Sequence, residues 1–265
     1  MTARTYLELA SEANLIIFDD SSTMSGVWSK ERIYPSLFSQ ISHPLFEYSF
    51  YPMSKDDISP DGFVSGKTIH NYLDSFARDH NLLPRLRLRT RVTGVARRPA
   101  ASEGWILDIK GGNHLICDKL IYNTGANSSP ISPKWLRDNF QKPVIHSLEL
   151  GSHQEYISSS VQRATVVGRS ESSYDAVYHL LCEEKKVDWV MRNGLSGPFS
   201  LYAPTFLGLW NIDDHISTRV CWGSGGIGIA TAPDFWKVFH LGDVAIHSTE
   251  IECLSHQDVV NLKNG

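Results

Sequence analysis

The amino-acid sequence predicts an α/β protein built from two nucleotide-binding-like units. Two short, continuous apolar runs, at residues 15–18 and 164–167, are typical of strands buried on both faces of a sheet. The first run ends at Asp19-Asp20 and the second at Gly168, residue types found where strands meet nucleotides. A helical pattern and a further strand follow Gly168, which completes a βαβ unit.

Composition supports a packed core and narrows the partners. The chain has 265 residues, a formal charge of −4, 42% hydrophobic and 20% charged residues. A chain of this size buries roughly 70–75% of its unfolded surface. No long Lys/Arg run indicates a nucleic-acid partner, and no apolar stretch reaches the ~20 residues that cross a bilayer. We therefore expect a cytoplasmic protein that acts on a small molecule, and a homo-oligomer is compatible with these features.

The cysteines predict reduced thiols rather than disulfides or a metal site. They are far apart in the sequence, form no Cys-x-x-Cys pair and have no histidine at ligand spacing. They are Cys117, Cys182, Cys221 and Cys253.

The first unit is predicted to span residues 1–155. It begins in a helix that ends near Ser11, followed by the strand at 15–18 and a long surface excursion over 22–66. Ser65 is placed to cap a helix running to about His80. The apolar face of that helix is formed by Ile69, Leu73, Phe76 and Ala77. Strands are predicted over 86–95, 105–109, 115–122 and 143–146.

The second unit is predicted to span residues 156–250, after a polar boundary stretch at 151–160. The strand at 164–167 leads to a helix, and a strand at 187–191 ends at Arg192. The helix has an apolar face of Ser173, Val177, Leu180 and Leu181. Residues 251–265 are predicted to return to the first unit through a strand at 259–263, with Asn264-Gly265 as a hairpin turn.

The two strand ends differ in the nucleotide that they favour. An acidic residue at the end of the second strand of a dinucleotide-binding unit accepts hydrogen bonds from ribose hydroxyls, whereas an arginine there reads a 2′-phosphate. Asp19 therefore favours an unmodified adenosine, and Arg192 favours NADPH.

Several short motifs join these positions in a fixed order along the sequence. They are Phe18-Asp19, Ser25-Gly26-Val27-Trp28, Tyr34-Pro35, the helix with His70-Asn71-Tyr72-Leu73, Asn123-Thr124-Gly125, Phe140 with His146, and residues 167–175. In these motifs and their order, over nearly its whole length, the sequence resembles the flavin-containing monooxygenases, particularly the FAD-dependent monooxygenases of fungal secondary-metabolite clusters.

The resemblance implies a fold, two cofactors and a set of binding residues. The fold would be an incomplete FAD-binding Rossmann-like domain with an inserted NADP-binding Rossmann-like domain, and the activity would be NADPH-dependent oxygenation of a small organic metabolite. Asp19 would contact the FAD ribose, with Gly26 and Trp28 near the flavin. Gly168, Ser170 and Ser173 would lie at the NADPH pyrophosphate and Arg192 at its 2′-phosphate. No catalytic side chain is named, because the cofactor carries the chemistry.

The sequence also departs from the family pattern. A strand and a Gly-x-Gly-x-x-Gly loop precede the first helix in the family, and this sequence starts with the helix. Because backbone N–H groups of that loop bind the pyrophosphate, we expect weakened FAD binding. Ser25 replaces a glycine, and Glu171 stands where lysine is common, so a carboxylate would repel the NADPH pyrophosphate.

Three other interpretations compete with this one. Residues 223–228 match Gly-x-Gly-x-x-Gly, but Pro233 interrupts the helix that must follow. Residues 167–172 resemble a nucleophile elbow with Ser170 as a hydrolase nucleophile, although Ser172 replaces the final glycine. A flavoenzyme scaffold could also serve a non-redox role, as a small-molecule-binding protein, an isomerase or cyclase, or an inactive remnant.

Overall fold

The computed structural model describes residues 1–43, 45–55, 58–59, 62–99, 103–125, 129–192 and 234–263. The glycine-rich motif at 223–228 lies outside these residues. So do Asp213 and Asp214, the acidic partners that a hydrolase triad would need.

The first part of the chain pairs short strands around one long helix. Its elements are α1 (Thr2–Leu9), β1 (Ile17–Phe18), β2 (Phe38–Ser42), β3 (Phe63–Ser65), α2 (Gly66–Asp79) and β4 (Leu86–Arg87). β1 pairs in parallel with β4, and β2 pairs antiparallel with β3. α2 begins as predicted, because the Ser65 hydroxyl accepts a hydrogen bond of 3.1 Å from the Thr68 N–H.

The buried face of α2 differs from the predicted one at a single position. Ile69, Phe76 and Ala77 are buried, but Tyr72 takes the place predicted for Leu73, which is only partly buried. The Tyr72 phenol accepts a hydrogen bond from the Tyr48 N–H and donates one to the Tyr51 carbonyl. A satisfied hydroxyl lets the ring enter the core without the cost of an unpaired polar group.

An antiparallel meander follows α2. It consists of β5 (Val92–Arg97), β6 (Trp105–Ile109) and β7 (Asn113–Cys117), with β6 in the centre. The hairpin of β6 and β7 is confirmed, although β7 ends at Cys117. One strand over 86–95 is wrong: β4 and β5 are separate because Arg89 adopts a left-handed φ of 52° between them. The strand at 143–146 is also wrong: no described strand pairs with this segment, and His146, although extended, caps a short 3₁₀ turn that begins at Ser147.

A parallel three-stranded sheet forms the second part of the chain, in the order β11-β10-β9. Its elements are β9 (Arg163–Val167), α4 (Glu171–Cys182), β10 (Lys186–Val190), α5 (Phe235–Leu241) and β11 (Val244–His247). The predicted βαβ unit is thus confirmed. The polar stretch at 151–160 contains a 3₁₀ turn and α3 (Gln154–Ser160), and the domain boundary there stays a prediction.

Trp189 lies at the centre of the core of this second sheet. Its ring is fully buried and meets Tyr174 of α4 edge-on, with ring centroids 4.7 Å apart. Its indole N–H donates a 2.9 Å hydrogen bond to the Gly168 carbonyl. The core therefore holds the loop between β9 and α4 in place.

The last described strands contact the first part of the chain. β12 (Ile251–Ser255) runs parallel to β8 (Leu136–Arg137) and antiparallel to β13 (Val259–Leu262). The predicted strand at 259–263 is confirmed to within one residue. Among the described residues, no helix is both long and apolar enough to cross a membrane.

Candidate functional site

Asp19 directly follows β1 and is fixed by backbone pairing. Its N–H donates to the Arg87 carbonyl and its carbonyl accepts from the Thr90 N–H. One carboxylate oxygen accepts a 2.9 Å hydrogen bond from the Ser21 N–H, which starts the turn after the strand. The other carboxylate oxygen has no partner among the described residues. Asp19 can thus accept one more donor at the end of β1.

The turn at Ser25–Trp28 has an unusual backbone. Ser25 and Gly26 are both left-handed, with φ values of 92° and 59°. Serine rarely adopts this conformation, and strained residues of this kind are concentrated at binding sites. A methyl group built on Gly26 would have no described heavy atom within 4 Å. The backbone of this turn is therefore open to a ligand.

Two buried hydroxyls flank the open turn. The Oγ atoms of Ser25 and Ser29 are shielded from solvent and have no hydrogen-bond partner among the described residues. Buried polar groups are almost always paired. Two unpaired hydroxyls at one turn are what a polar ligand would satisfy, and the FAD predicted here fits them.

Trp28 anchors the end of the turn. Its ring packs edge-on against Phe46, with centroids 5.8 Å apart, beside the core cluster that contains Met53 and Ile69. Its carbonyl accepts a 3.0 Å hydrogen bond from Nδ1 of His70 on α2. Helix α2, which carries the motif at His70, thus supports the Ser25–Trp28 turn, which carries another of the motifs.

The second candidate site is the loop between β9 and α4. Gly168 has a φ of 139°, which favours glycine, and a methyl group there would touch Cβ of Ser173 at 3.4 Å. The Ser170 side chain caps no N–H group of α4. The N–H groups of Glu171 and Ser172 have no acceptor among the described residues. Such a helix start offers donors and a positive dipole end to an anion.

Ser173 has a structural position in this loop. It is buried, and both its N–H and its hydroxyl donate to the Ser170 carbonyl. Its hydroxyl is therefore already engaged, and any contact with a pyrophosphate would come from the backbone.

Arg192 lies just beyond β10 and is exposed. The Gly168 N–H donates to the Val190 carbonyl, so the loop and Arg192 share one edge of the sheet. The Glu250 carboxyl is also near. Its pKa is lowered mainly by its hydrogen bond and ion pair with Lys263, with a smaller contribution from Arg192.

The sequence analysis did not single out a polar stripe along α4. Residues of this stripe recur every fourth position, which places them on one helix face. They are Glu171, Asp175, His179 and Glu183. A spacing of four is the signal that could have found it.

The first two carboxyls of this stripe, those of Glu171 and Asp175, have raised pKa values, whereas hydrogen bonds from Ser158 and Gln154 lower the pKa of Glu183. Burial raises the pKa of Glu171 to about 7. Burial and the neighbouring Glu171 charge raise the pKa of Asp175 to about 7. Neither carboxyl has an ion-pair partner among the described residues. The start of α4 thus carries two carboxyls that are partly protonated at neutral pH.

The stripe contacts the segment that follows the open turn. The Tyr34 ring lies 4.9 Å from the His179 ring, and the pKa of the Tyr34 hydroxyl is raised by burial and by the charges of Asp175 and Glu171. The Ser36 hydroxyl is 2.9 Å from Nδ1 of His179, while Nε2 of this buried histidine has no partner among the described residues. Burial lowers the pKa of His179. The two candidate sites are therefore physically connected.

The hydrolase interpretation finds no support at Ser170. Its φ of −97° is unstrained, unlike the strained turn of a nucleophile elbow. Among the described residues, no histidine or carboxylate pairs with its hydroxyl. Within that same part of the chain, no cluster of three or more His, Cys, Asp or Glu side chains could hold a metal ion.

Comparisons with known proteins relate this chain to flavin monooxygenases. A family model described as flavin-binding monooxygenase-like matches residues 12–177. The FAD-dependent monooxygenase DEP4 of Alternaria brassicicola is 64% identical over 329 aligned residues, covering 100% of this chain and 57% of the relative. Its namesake from Fusarium langsethiae is 59% identical with the same coverage. The chain thus spans little more than half the length of these relatives.

Solved structures show the same fold. A steroid monooxygenase bound to NADP matches with a TM-score of 0.76 at 13% identity, over 100% of this chain and 66% of that one. The complex of OTEMO with FAD and NADP matches with a TM-score of 0.70 at 11% identity, over 99% of this chain and 66% of that one. The predicted α/β fold of Rossmann-like domains is therefore confirmed.

Proposed function

The chain belongs to the flavin-binding monooxygenase-like family, and from this premise we propose that it binds FAD and NADPH and takes part in the oxygenation of a small organic metabolite. The loop between β9 and α4 carries this proposal. There a strand, a glycine with a φ of 139° and a helix start with unpaired N–H groups follow one another, as a dinucleotide phosphate requires.

On the flavin side, three residues would hold the cofactor. The unpaired carboxylate oxygen of Asp19 would accept a hydrogen bond from a ribose hydroxyl. Gly26 would let the flavin approach the backbone, and Trp28 would bound the site from its position against Phe46. The unpaired hydroxyls of Ser25 and Ser29 support this assignment.

On the nucleotide side, Gly168 would let the NADPH pyrophosphate approach the backbone of the loop, and Ser170 would face it with its own N–H and its free hydroxyl. Ser173 would fix the shape of the loop through its bonds to the Ser170 carbonyl. Arg192 would pair with the 2′-phosphate, which arginine binds in a charge-assisted geometry. Glu171 opposes this binding when it is ionised.

Held by these residues, FAD and NADPH would supply the redox chemistry: NADPH would provide the hydride, and O₂ the oxygen atom that the substrate gains, with the second oxygen leaving as water. The chain's own residues bind, orient and shield these groups. The contact of Tyr34 and Ser36 with α4 would keep the flavin and nucleotide sites in register. The proposal includes a small-molecule substrate and a cytoplasmic location; the family assignment supports the substrate class.

Cofactor binding by the purified chain tests the proposal. We expect added FAD to bind at one equivalent with a shifted visible absorption spectrum, and NADPH to bleach that spectrum in the absence of oxygen. Recolouring on admission of air would complete the cycle. A chain that remains colourless and binds neither FAD nor NADP⁺ in calorimetry would overturn the proposal and favour a non-redox scaffold.

A further inference from the structure

Glu31 closes the loop that contains the open turn. Its carboxylate accepts hydrogen bonds from the N–H of Ser22 at 2.9 Å and of Thr23 at 3.3 Å. It also accepts the hydroxyl proton of Thr23. Glu31 follows Thr23 by eight positions, and the strained turn at Ser25–Trp28 lies between them.

Thr23 connects both ends of this loop. Because an ionised carboxylate only accepts, the single hydroxyl proton of Thr23 is committed to Glu31. The Thr23 oxygen in turn accepts a 2.9 Å hydrogen bond from the Lys30 N–H. Donors and acceptors are thus matched across the loop, which gives the network one arrangement rather than several.

The hydrogen bonds keep Glu31 ionised. Burial acts to raise its pKa, but the bonds from the Thr23 hydroxyl and from backbone N–H groups outweigh it and lower the pKa to about 2. Both carboxylate oxygens are engaged by the loop itself. Glu31 therefore stabilises the loop, and each of its carboxylate oxygens already has a hydrogen-bond donor from the loop.

The turn needs support from outside. A serine in the left-handed region is strained, and within the described part of the chain the turn has two backbone bonds of its own, from the Trp28 N–H to the Ser25 carbonyl and from the Ser29 N–H to the Gly26 carbonyl. His70 anchors its end through the Trp28 carbonyl. The network of Glu31 and Thr23 anchors its beginning.

We propose that Glu31, acting through Thr23, is a positioning residue that holds the Ser25–Trp28 turn in its flavin-binding conformation. This inference rests on the proposed function for the identity of the ligand. It assigns to Glu31 no contact with FAD and no part in proton transfer.

Three variants of the full chain test the inference. Thr23→Val keeps the size of the side chain but removes both hydrogen bonds of the hydroxyl, and Thr23→Ser keeps them. Glu31→Gln keeps the shape but removes the charge and turns one acceptor into a donor. Affinities for FAD and for NADP⁺ are measured by calorimetry, and the bound flavin is followed by visible circular dichroism.

We expect Thr23→Val and Glu31→Gln to weaken FAD binding at least ten-fold and to change the dichroism of the bound flavin. Thr23→Ser is expected to stay within two-fold of the unmodified chain. NADP⁺ affinity should stay within two-fold in all three, because its loop lies on a different sheet.

Unchanged FAD affinity in Thr23→Val and Glu31→Gln would overturn the inference. Equal loss of FAD and NADP⁺ binding would also overturn it, since that result indicates general unfolding, and so would failure of Thr23→Ser to restore binding. Failure of the proposed function is separate, because it shows as absence of FAD binding by the unmodified chain.

Discussion

Two partly buried glutamates, Glu31 at the end of the loop over residues 22–31 and Glu171 at the start of α4, experience opposite electrostatic environments. Burial acts to raise the pKa of both. Glu31 receives three hydrogen bonds and has a pKa of about 2, whereas Glu171 receives none from the described residues and has a pKa of about 7. Hydrogen-bond donors rather than burial decide which carboxyl is ionised.

The difference has consequences for each candidate site. In the loop over residues 22–31, Glu31 is ionised at neutral pH, and its carboxylate accepts hydrogen bonds from the loop itself. At α4 the charge appears only as pH rises, beside N–H groups that would otherwise face an anion. The ionised Glu31 therefore stabilises its loop, whereas the charge that Glu171 places at the start of α4 changes with pH.

The largest expected effect concerns the stability contributed by Asp175. Its pKa is about 7 in the folded chain, against an ordinary value of 3.8. Between these values the folded state holds a proton that the unfolded state releases, so stability is fully present below pH ~4 and is lost as pH rises through 7. Relative to Asp175→Asn, the unmodified chain should lose about 2–3 kcal/mol in free energy of unfolding between pH 5 and pH 8.

Urea unfolding of both proteins at each pH measures this loss. Comparison with the variant cancels the contribution of His179, whose lowered pKa has the opposite effect. Asp138→Asn, at an exposed position, serves as the control and should track the unmodified chain. Parallel curves for the unmodified chain and Asp175→Asn would contradict a buried, protonated Asp175.

The next effect concerns nucleotide affinity. Two like charges ~4 Å apart repel by about 4 kcal/mol at an effective dielectric of 20, and partial exposure of Glu171 reduces this to about 2 kcal/mol. A repulsion of this size is roughly thirty-fold in affinity, but Glu171, with a pKa of about 7, can take up a proton when NADP⁺ binds. At pH 8, Glu171→Gln should therefore bind NADP⁺ roughly eight-fold more tightly than the unmodified chain. At pH 6, where Glu171 is mostly protonated, the two affinities should be nearly equal.

Calorimetric titration with NADP⁺ at both pH values measures the gain. Glu155→Gln is the matched control, since Glu155 stands in the first turn of α3 and is exposed. Equal gains at pH 6 and pH 8 would show that the charge of Glu171 is not what opposes the nucleotide.

A smaller effect, on the free energy of unfolding, is expected at Ser25 in the turn before Trp28. Ser25→Gly relieves the left-handed strain at a φ of 92° and removes a buried hydroxyl without a described partner. Glycine adds entropy to the unfolded chain, which offsets part of this gain. The net increase in stability should be about 1 kcal/mol, measured by urea unfolding without FAD. A loss of stability would mean that the serine hydroxyl has a partner in the folded chain.

Elements with a regular pattern could be predicted from the sequence. Ser65 capped a helix with an apolar face, and the runs at 164–167 and 187–191 became adjacent parallel strands. The strand at 143–146 failed because no described strand pairs with it, although His146 keeps an extended backbone before the 3₁₀ turn that it caps. A short apolar run does not show whether a partner strand lies beside it.

The candidate site was predictable only where it follows motifs. Asp19, Gly26 and Gly168 lie at strand ends or turns, and their conformations agree with their assigned positions. The contact between Thr23 and Glu31 spans an irregular loop, and that between Ser36 and His179 joins distant parts of the chain. Contacts of this kind follow from tertiary packing, which has no repeat in the sequence.

The smallest expected effect is at Arg192, where the sequence assigned a 2′-phosphate contact. Arg192 is exposed, and its positive charge contributes to the lowered pKa of the nearby Glu250. An exposed ion pair between Arg192 and the 2′-phosphate would contribute under ~1 kcal/mol to NADP⁺ binding. Arg192→Ala should therefore narrow the preference for NADP⁺ over NAD⁺ by roughly five-fold. Glu250→Gln should widen the preference slightly, because it removes a competitor for the guanidinium. Calorimetry with both nucleotides decides the matter: if Arg192→Ala leaves their affinity ratio unchanged, the 2′-phosphate is bound elsewhere.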